Sequence, residues 1–262
     1  MKTLRGLIRS CLLICYTSLY AIILPITNAL GAYKVHQWLL VLWYGTTLKL
    51  LGISTIVRGH IPKNQAGCLV VANHCSYVDI LVLGSLMPVH FTPKLSIKSW
   101  PIVGFFVTLS QPVYIDRGNR SKMHDQYQKI VNFIDSGKHV VIFPEGTTNN
   151  GAAVLPFKAG AFAILEHTAS PENPTPVLPI TITYTEYNGT NHTPSTPSPI
   201  AWFGDMTLMP HLWKMLTSNY GVVEVDIHDT VSLATHQNRK AINQHCHELI
   251  STTLTKNLSR KG

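Results

Sequence analysis

Charge is scarce in this 262-residue chain: Asp, Glu, Lys and Arg make up 13% of it, about half the usual share, while apolar residues reach 45%. That balance excludes a disordered, highly charged polymer and is compatible with an interface to lipid. Acids are absent altogether from residues 1–78, which hold Lys2, Arg5, Arg9, Lys34, Lys49, Arg58 and Lys63, so +7 of the net charge of +8 resides there. These bases are spread through apolar runs rather than clustered on a polar face, which excludes a phosphate-tracking nucleic-acid surface and points to an anionic membrane surface as partner. The five cysteines are odd in number and form no C-x-x-C pair, so neither a disulfide framework nor a cysteine zinc site is expected. A reducing, cytoplasm-facing compartment is the expectation. No G-x-S-x-G occurs, which removes the nucleophile elbow of serine thioesterases and lipases. There is also no internal repeat and no domain linker.

What is present begins with 24 uncharged residues between Arg9 and Lys34, enough to cross a hydrocarbon core of about 30 Å, preceded by three bases. A second apolar stretch, 35–48, is shorter and carries Trp38, Trp43 and Tyr44, which suit the headgroup level. Together they read as a membrane-associated helical hairpin over residues 1–60, with Pro25 placed to bend its first helix. A hairpin that dips in and returns, a single crossing and a soluble helix pair all fit the lengths. Bases on both flanks favour the first, with both ends on the cytoplasmic side.

From Gly67 the pattern changes to short apolar runs separated by helical stretches. Residues 68–72, 113–115, 140–143, 177–183 and 222–227 are predicted as strands, and 121–136, 157–167 and 235–258 as helices. The fold class expected over 61–262 is therefore α/β, a mixed and largely parallel sheet flanked by helices.

Three polar clusters fall at the predicted strand ends, where open α/β sheets bind ligands. The first runs from Asn73 to Asp79. Positions five apart on a regular helix are about 140° out of phase, so His74 and Asp79 meet only if His74 precedes the helix. Ser76 followed three residues later by Asp79 is an acidic form of the capping box, which places the helix start there and the carboxylate beside the imidazole. Such a pair is half of a catalytic triad: the carboxylate fixes the tautomer and the other ring nitrogen takes a proton from a substrate hydroxyl. A simple helix cap, and Cys75 as nucleophile, are the alternatives. No third ligand at standard spacing accompanies the pair, so no metal site is expected. The second cluster is Asp116-Arg117, whose guanidinium suits an anionic headgroup. In the third, Glu145-Gly146-Thr147, the glycine lets backbone N–H groups approach an oxyanion and Glu145 is placed to accept from a polyol hydroxyl.

These residues resemble the glycerolipid acyltransferase superfamily, of the bacterial 1-acylglycerol-3-phosphate acyltransferase type. The resemblance rests on N-H-x-x-x-x-D at 73–79, Y-I-D-R at 114–117, F-P-E-G-T at 143–147 with P-F-K-x-G at 156–160, and V-L-P-I at 177–180. It implies acyl transfer without cofactor or metal, from acyl-CoA or acyl-carrier protein as co-substrate, to the sn-2 hydroxyl of 1-acylglycerol 3-phosphate at the inner membrane, giving phosphatidic acid. It further implies His74 as general base, Asp79 as its orienting partner, and Arg117 with Glu145, Gly146 and Thr147 as the headgroup site. Lys94 resembles the segment beside the acyl chain. The chain departs from the pattern at Thr148, where many members that use a phosphate acceptor carry Arg. An O-acyltransferase for lyso-ornithine lipid or another lysolipid, and a lipid-binding member without turnover, are the rival readings.

Overall fold

The computed structural model describes residues 1–62, 67–116, 123–167 and 174–260. Two helices open the chain, α1 (Lys2–Ala29) and α2 (Tyr33–Leu50). They lead into β1 (Ile53–Arg58), β2 (Leu69–Ala72), α3 (Val78–Leu86), β3 (Val89–Phe91), α4 (Val103–Leu109), α5 (Met123–Asp135) and β4 (His139–Ile142). The remainder is β5 (Val177–Tyr187), β6 (Thr190–Asn191), α6 (Leu208–Thr217), β7 (Gly221–Ile227) and α7 (Arg239–Ser259), with 3-10 turns at Leu95–Ser99 and Ala159–His167.

The sheet runs β1-β7-β5-β2-β4-β3, with β6 added beside β5. Strands β2 to β5 are mutually parallel, whereas β7 is antiparallel to β5 and carries β1 with it. The expected mixed, largely parallel sheet is therefore present. Its central strands are buried on both faces, which is why β2 reads Leu-Val-Val-Ala rather than alternating. Val70 and Ala72 face a core completed by α2, α3 and α6; Leu69 and Val71 face a second core closed by α5, α7 and the 3-10 turn at Ala159–His167.

Two expectations need correction. Residues 53–58, placed by the sequence in the hairpin, form β1 and pair with β7 in full register, so the hairpin ends at Leu50. Residues 113–115 are not a ladder strand: Val113 and Ile115 donate to the carbonyls of Phe91 and Pro93, but the bridge Lys94↔Ile115 stands isolated. Pro112 has no N–H to extend the pairing.

The hairpin lies against the catalytic domain at both of its ends. At the start of α1, Arg5 Nη1 donates to Ser218 O at 3.0 Å, and Arg9 Nη1 to Ser218 O at 2.8 Å, covering the open carbonyls at the C-terminal end of α6. Arg58 is likewise engaged, by Glu224 at 2.7 Å and Asp226 at 3.3 Å. Three of the bases expected to face lipid are thus spent on protein contacts. At the turn, His36 bridges Thr27 and the Leu109 carbonyl (3.0 and 2.9 Å), and the Tyr33 hydroxyl bonds His90 at 2.9 Å. α1 runs unbroken through Pro25, and its 28 residues span about 42 Å. It is long and apolar enough to cross a membrane. Both of its ends meet the same domain, and Leu4, Leu7, Ile8, Ile14 and Ile22 stand exposed along it. α2 seats on α3 through Gly84, where a Cβ would stand 2.3 Å from the Tyr44 ring.

Candidate active site

β2 ends at Ala72, and its ladder to β5 is extended by a side chain. Asn73 accepts from Ile182 N–H at 2.8 Å and donates to Ile182 O at 2.9 Å, so its amide imitates one more strand residue. The chain then leaves the sheet and presents His74 before α3 begins. His74 Nδ1 lies 2.8 Å from Asp79 Oδ2, the contact expected from the spacing. Because a carboxylate only accepts, Nδ1 carries the proton and Nε2 keeps a free lone pair.

Asp79 is fully buried. Oδ2 also accepts the N–H groups of Cys75 (2.8 Å) and Ser76 (2.9 Å), which is the reach-back of the capping box. Oδ1 accepts the Tyr184 hydroxyl at 2.6 Å. Burial and the neighbouring carboxylate hold the Tyr184 phenol well above its ordinary value, so it remains a donor. Four donors thus fix one carboxylate and, through it, the imidazole plane. The Phe143 ring stacks on the imidazole with centroids 3.9 Å apart and planes 13° from parallel. Tyr184, Asn73 and Phe143 in this supporting role were not seen in the sequence; Tyr184 lies in an apolar strand with no motif around it. Cys75 is buried, and its thiol is pushed well above the ordinary range by burial and then by Asp79 and Glu145, which leaves it protonated and a poor nucleophile.

Glu145 comes to the same place but points inward. Its carboxylate accepts His74 N–H at 2.7 Å, Leu155 N–H at 2.9 Å and the Asn149 amide. The side chain therefore braces the His74 backbone, with its carboxylate buried under three protein donors. Gly146, at φ 73°, closes the turn by donating to Phe143 O at 3.0 Å. Thr147 is exposed, and Lys94 is exposed at the start of a 3-10 turn. Arg117 lies outside the described residues.

Burial lifts the Glu145 carboxyl to about 7 from an ordinary 4.5, with its three donors pulling the other way. A carboxyl whose pKa is raised by folding binds its proton more tightly in the folded chain, so this group's contribution to stability declines as pH rises from about 4.5 through about 7. Glu145→Gln, which cannot ionise, removes that slope. The stability of the wild type, followed by its melting temperature, is expected to fall relative to the variant between about pH 5 and pH 8, by the order of 3 kcal/mol at most. Parallel melting curves across that window would refute the assignment.

Beside His74 opens a cavity of about 940 Å³, lined by Leu13 of α1, Trp43 of α2, Phe106 of α4, and Tyr77, Thr148 and Trp202 among others. Among the described residues that line it there is no acid, lysine or arginine. A space of this size and polarity suits a lipid chain.

The same arrangement of blocks is found in known proteins. A family model described as Acyltransferase matches residues 54–183. A lyso-ornithine lipid O-acyltransferase of Rhizobium meliloti is 35% identical over 233 residues, covering 86% of this chain and 76% of that protein. The chain belongs to the glycerolipid acyltransferase family. A 1-acyl-sn-glycerol-3-phosphate acyltransferase of Neisseria gonorrhoeae is 29% identical over 203 residues, 78% of this chain and 75% of that one. The crystal structure of the 1-acyl-sn-glycerophosphate acyltransferase of Thermotoga maritima shares the fold, with a TM-score of 0.70 over 98% of this chain and 97% of that one at 22% identity. The protein is an acyltransferase of the lysolipid type.

Proposed function

We propose that this acyltransferase moves a fatty acyl group from a thioester donor, acyl-CoA or acyl-carrier protein, to the free hydroxyl of a lyso-ornithine lipid. The observation that carries the acyl-transfer chemistry is the His74–Asp79 pair, whose free Nε2 belongs to a side chain lining the apolar cavity. Nε2 takes the proton of the acceptor hydroxyl as its oxygen attacks the thioester carbonyl carbon; Asp79 stabilises the imidazolium. The tetrahedral adduct collapses, the C–S bond breaks, and the proton on Nε2 passes to the departing thiolate. No acyl-enzyme is needed, and no cofactor enters.

Two observations favour ornithine over glycerophosphate, the acceptor expected from the resemblance. Thr148 stands where a phosphate-reading arginine is expected, and it lines a cavity with no lysine or arginine among its described lining residues. The relatives matched at 35% identity are named for lyso-ornithine lipid, whereas the glycerophosphate enzyme of Neisseria stands at 29%. For location, we propose that α1 lies in the plane of the cytoplasmic membrane face, apolar side toward the acyl chains, which places the cavity wall it forms against lipid. The deciding experiment supplies labelled oleoyl-CoA to membranes containing the enzyme, with lyso-ornithine lipid or lysophosphatidate as acceptor. Preferential labelling of ornithine lipid is expected; equal or greater labelling of phosphatidic acid would return the enzyme to glycerophospholipid synthesis.

A further inference from the structure

A second, smaller cavity of about 190 Å³ is lined by Thr92, Ile115, Tyr127, Phe143, Gly146 and Lys158 among others. Phe143 links the two spaces: it lines the small one and stacks on His74, which lines the large one. The polar groups of the small cavity are nearly all committed. Thr92 Oγ1 donates to Val141 O at 2.9 Å, the Tyr127 hydroxyl to Gly160 O at 2.9 Å, and Gly146 N–H to Phe143 O at 3.0 Å. Lys158 differs. Its backbone is pinned by donation to Pro144 O at 2.9 Å, but among the described residues its ammonium has no acidic partner. The nearest acid in the motif, Glu145, is turned inward and held by three donors.

An anionic headgroup entering the large cavity would meet no lysine or arginine among its described lining residues, and stripping such a group of water without a partner is costly. Among the described residues that line the two cavities, the one lysine or arginine is Lys158, an exposed residue of the small cavity. We infer that Lys158 binds the anionic group of the acceptor in the small cavity, so that the acceptor bridges the Phe143 ring with its hydroxyl at His74. This deepens, and rests on, the reading of the site as a lysolipid acyltransferase. The shared chemistry is a carboxylate or a phosphate. Phe143 would then set the anion-to-hydroxyl distance that the enzyme accepts.

The test measures binding of three lysolipids to the full-length enzyme in detergent micelles: a hydroxyacyl-ornithine, lysophosphatidate, and a neutral monoacylglycerol. The wild type is expected to bind an anionic lysolipid at least about tenfold more tightly than the neutral one, Lys158→Met to erase that preference, and Lys158→Arg to keep most of it. Whichever anionic lysolipid shows the larger loss identifies the group as carboxylate or phosphate. In turnover, Lys158→Met should raise the acceptor KM by about 10- to 150-fold with the donor KM close to wild type. A preference that survives in Lys158→Met overturns the assignment, as does a loss confined to the donor KM, which would mean that the lysine reads the donor's phosphates. Binding that behaves as expected in an enzyme that acylates none of the three would sink the proposed function and leave the Lys158 site standing.

Discussion

His74→Ala is expected to slow acyl transfer by about 10³-fold or more, with acceptor and donor binding largely retained. General-base loss costs about 10² to 10⁴ in rate, and the upper part applies where the base acts as one unit with a partner. Asp79→Ala should approach the same loss, because it removes the group that holds Nδ1–H and leaves the N–H groups of Cys75 and Ser76 and the Tyr184 hydroxyl facing a void. The two losses should not add in the double variant. Tyr184→Phe removes one donor to a buried carboxylate, an interaction worth about 1.5–3 kcal/mol, and should reduce kcat by a smaller factor with little change in either KM. Cys75→Ser should keep most activity, since the thiol is buried and protonated. Single-turnover measurement with labelled acyl donor checks the whole set; an acyl thioester trapped on Cys75 would replace direct transfer with a two-step mechanism.

Removal of residues 1–29 is the second large effect expected. α1 is wall as well as anchor: Leu13, Ile14, Thr17, Ser18 and Ala21 line the 940 Å³ cavity, and Tyr20 and Leu24 are buried in the core beside it. Exposing side chains of that size costs about 1.5–3 kcal/mol each, and the opened cavity floods with water. The truncated chain should aggregate, and any folded fraction in detergent should lose measurable transfer. Since loss of folding alone would give the same result, Ala21→Phe provides the separate check. It keeps the helix and narrows the cavity, so the preferred acyl donor should become shorter. A truncated protein that is monodisperse and active, or an unchanged chain-length profile in Ala21→Phe, would show that α1 serves attachment only.

The anchoring of α1 also bears on how the membrane is met. Arg5 and Arg9 would favour a position near anionic headgroups if they were free, yet both are drawn to the carbonyls at the end of α6. The exposed residues that remain between Leu4 and Ile26 are mostly aliphatic, among them Leu7, Ile8, Leu12, Leu19 and Ile22, and Trp100, Ile102 and Phe105 beside the cavity are exposed as well.

What could be read along the chain was what local rules govern. The His74–Asp79 contact follows from a strand end, a helix start and a five-residue spacing, all within one turn of chain. The buried strands were legible because short apolar runs bounded by turn residues, as in β2 and β4, and stretches rich in Val, Ile and Thr, as in β5 and β7, have few other uses. Tertiary structure decided the rest, wherever a partner lay far off in sequence. Tyr184 meets Asp79 across 105 residues and Asn73 meets Ile182 across 109, and neither pairing leaves a periodic trace. β1 was hidden because its six residues pair with a strand some 168 positions on, while Ile56 and Val57 at the sheet's edge read like the end of an apolar hairpin. The direction of Glu145 was equally beyond local rules: a turn motif places the residue, but only the donors at His74, Asn149 and Leu155 turn its carboxylate inward. Residue types at a strand end marked the His74–Asp79 pair; the apolar cavity beside it took shape only in the tertiary structure, where α1, α2 and α4 pack around His74, because cavities are shaped by the packing of distant elements.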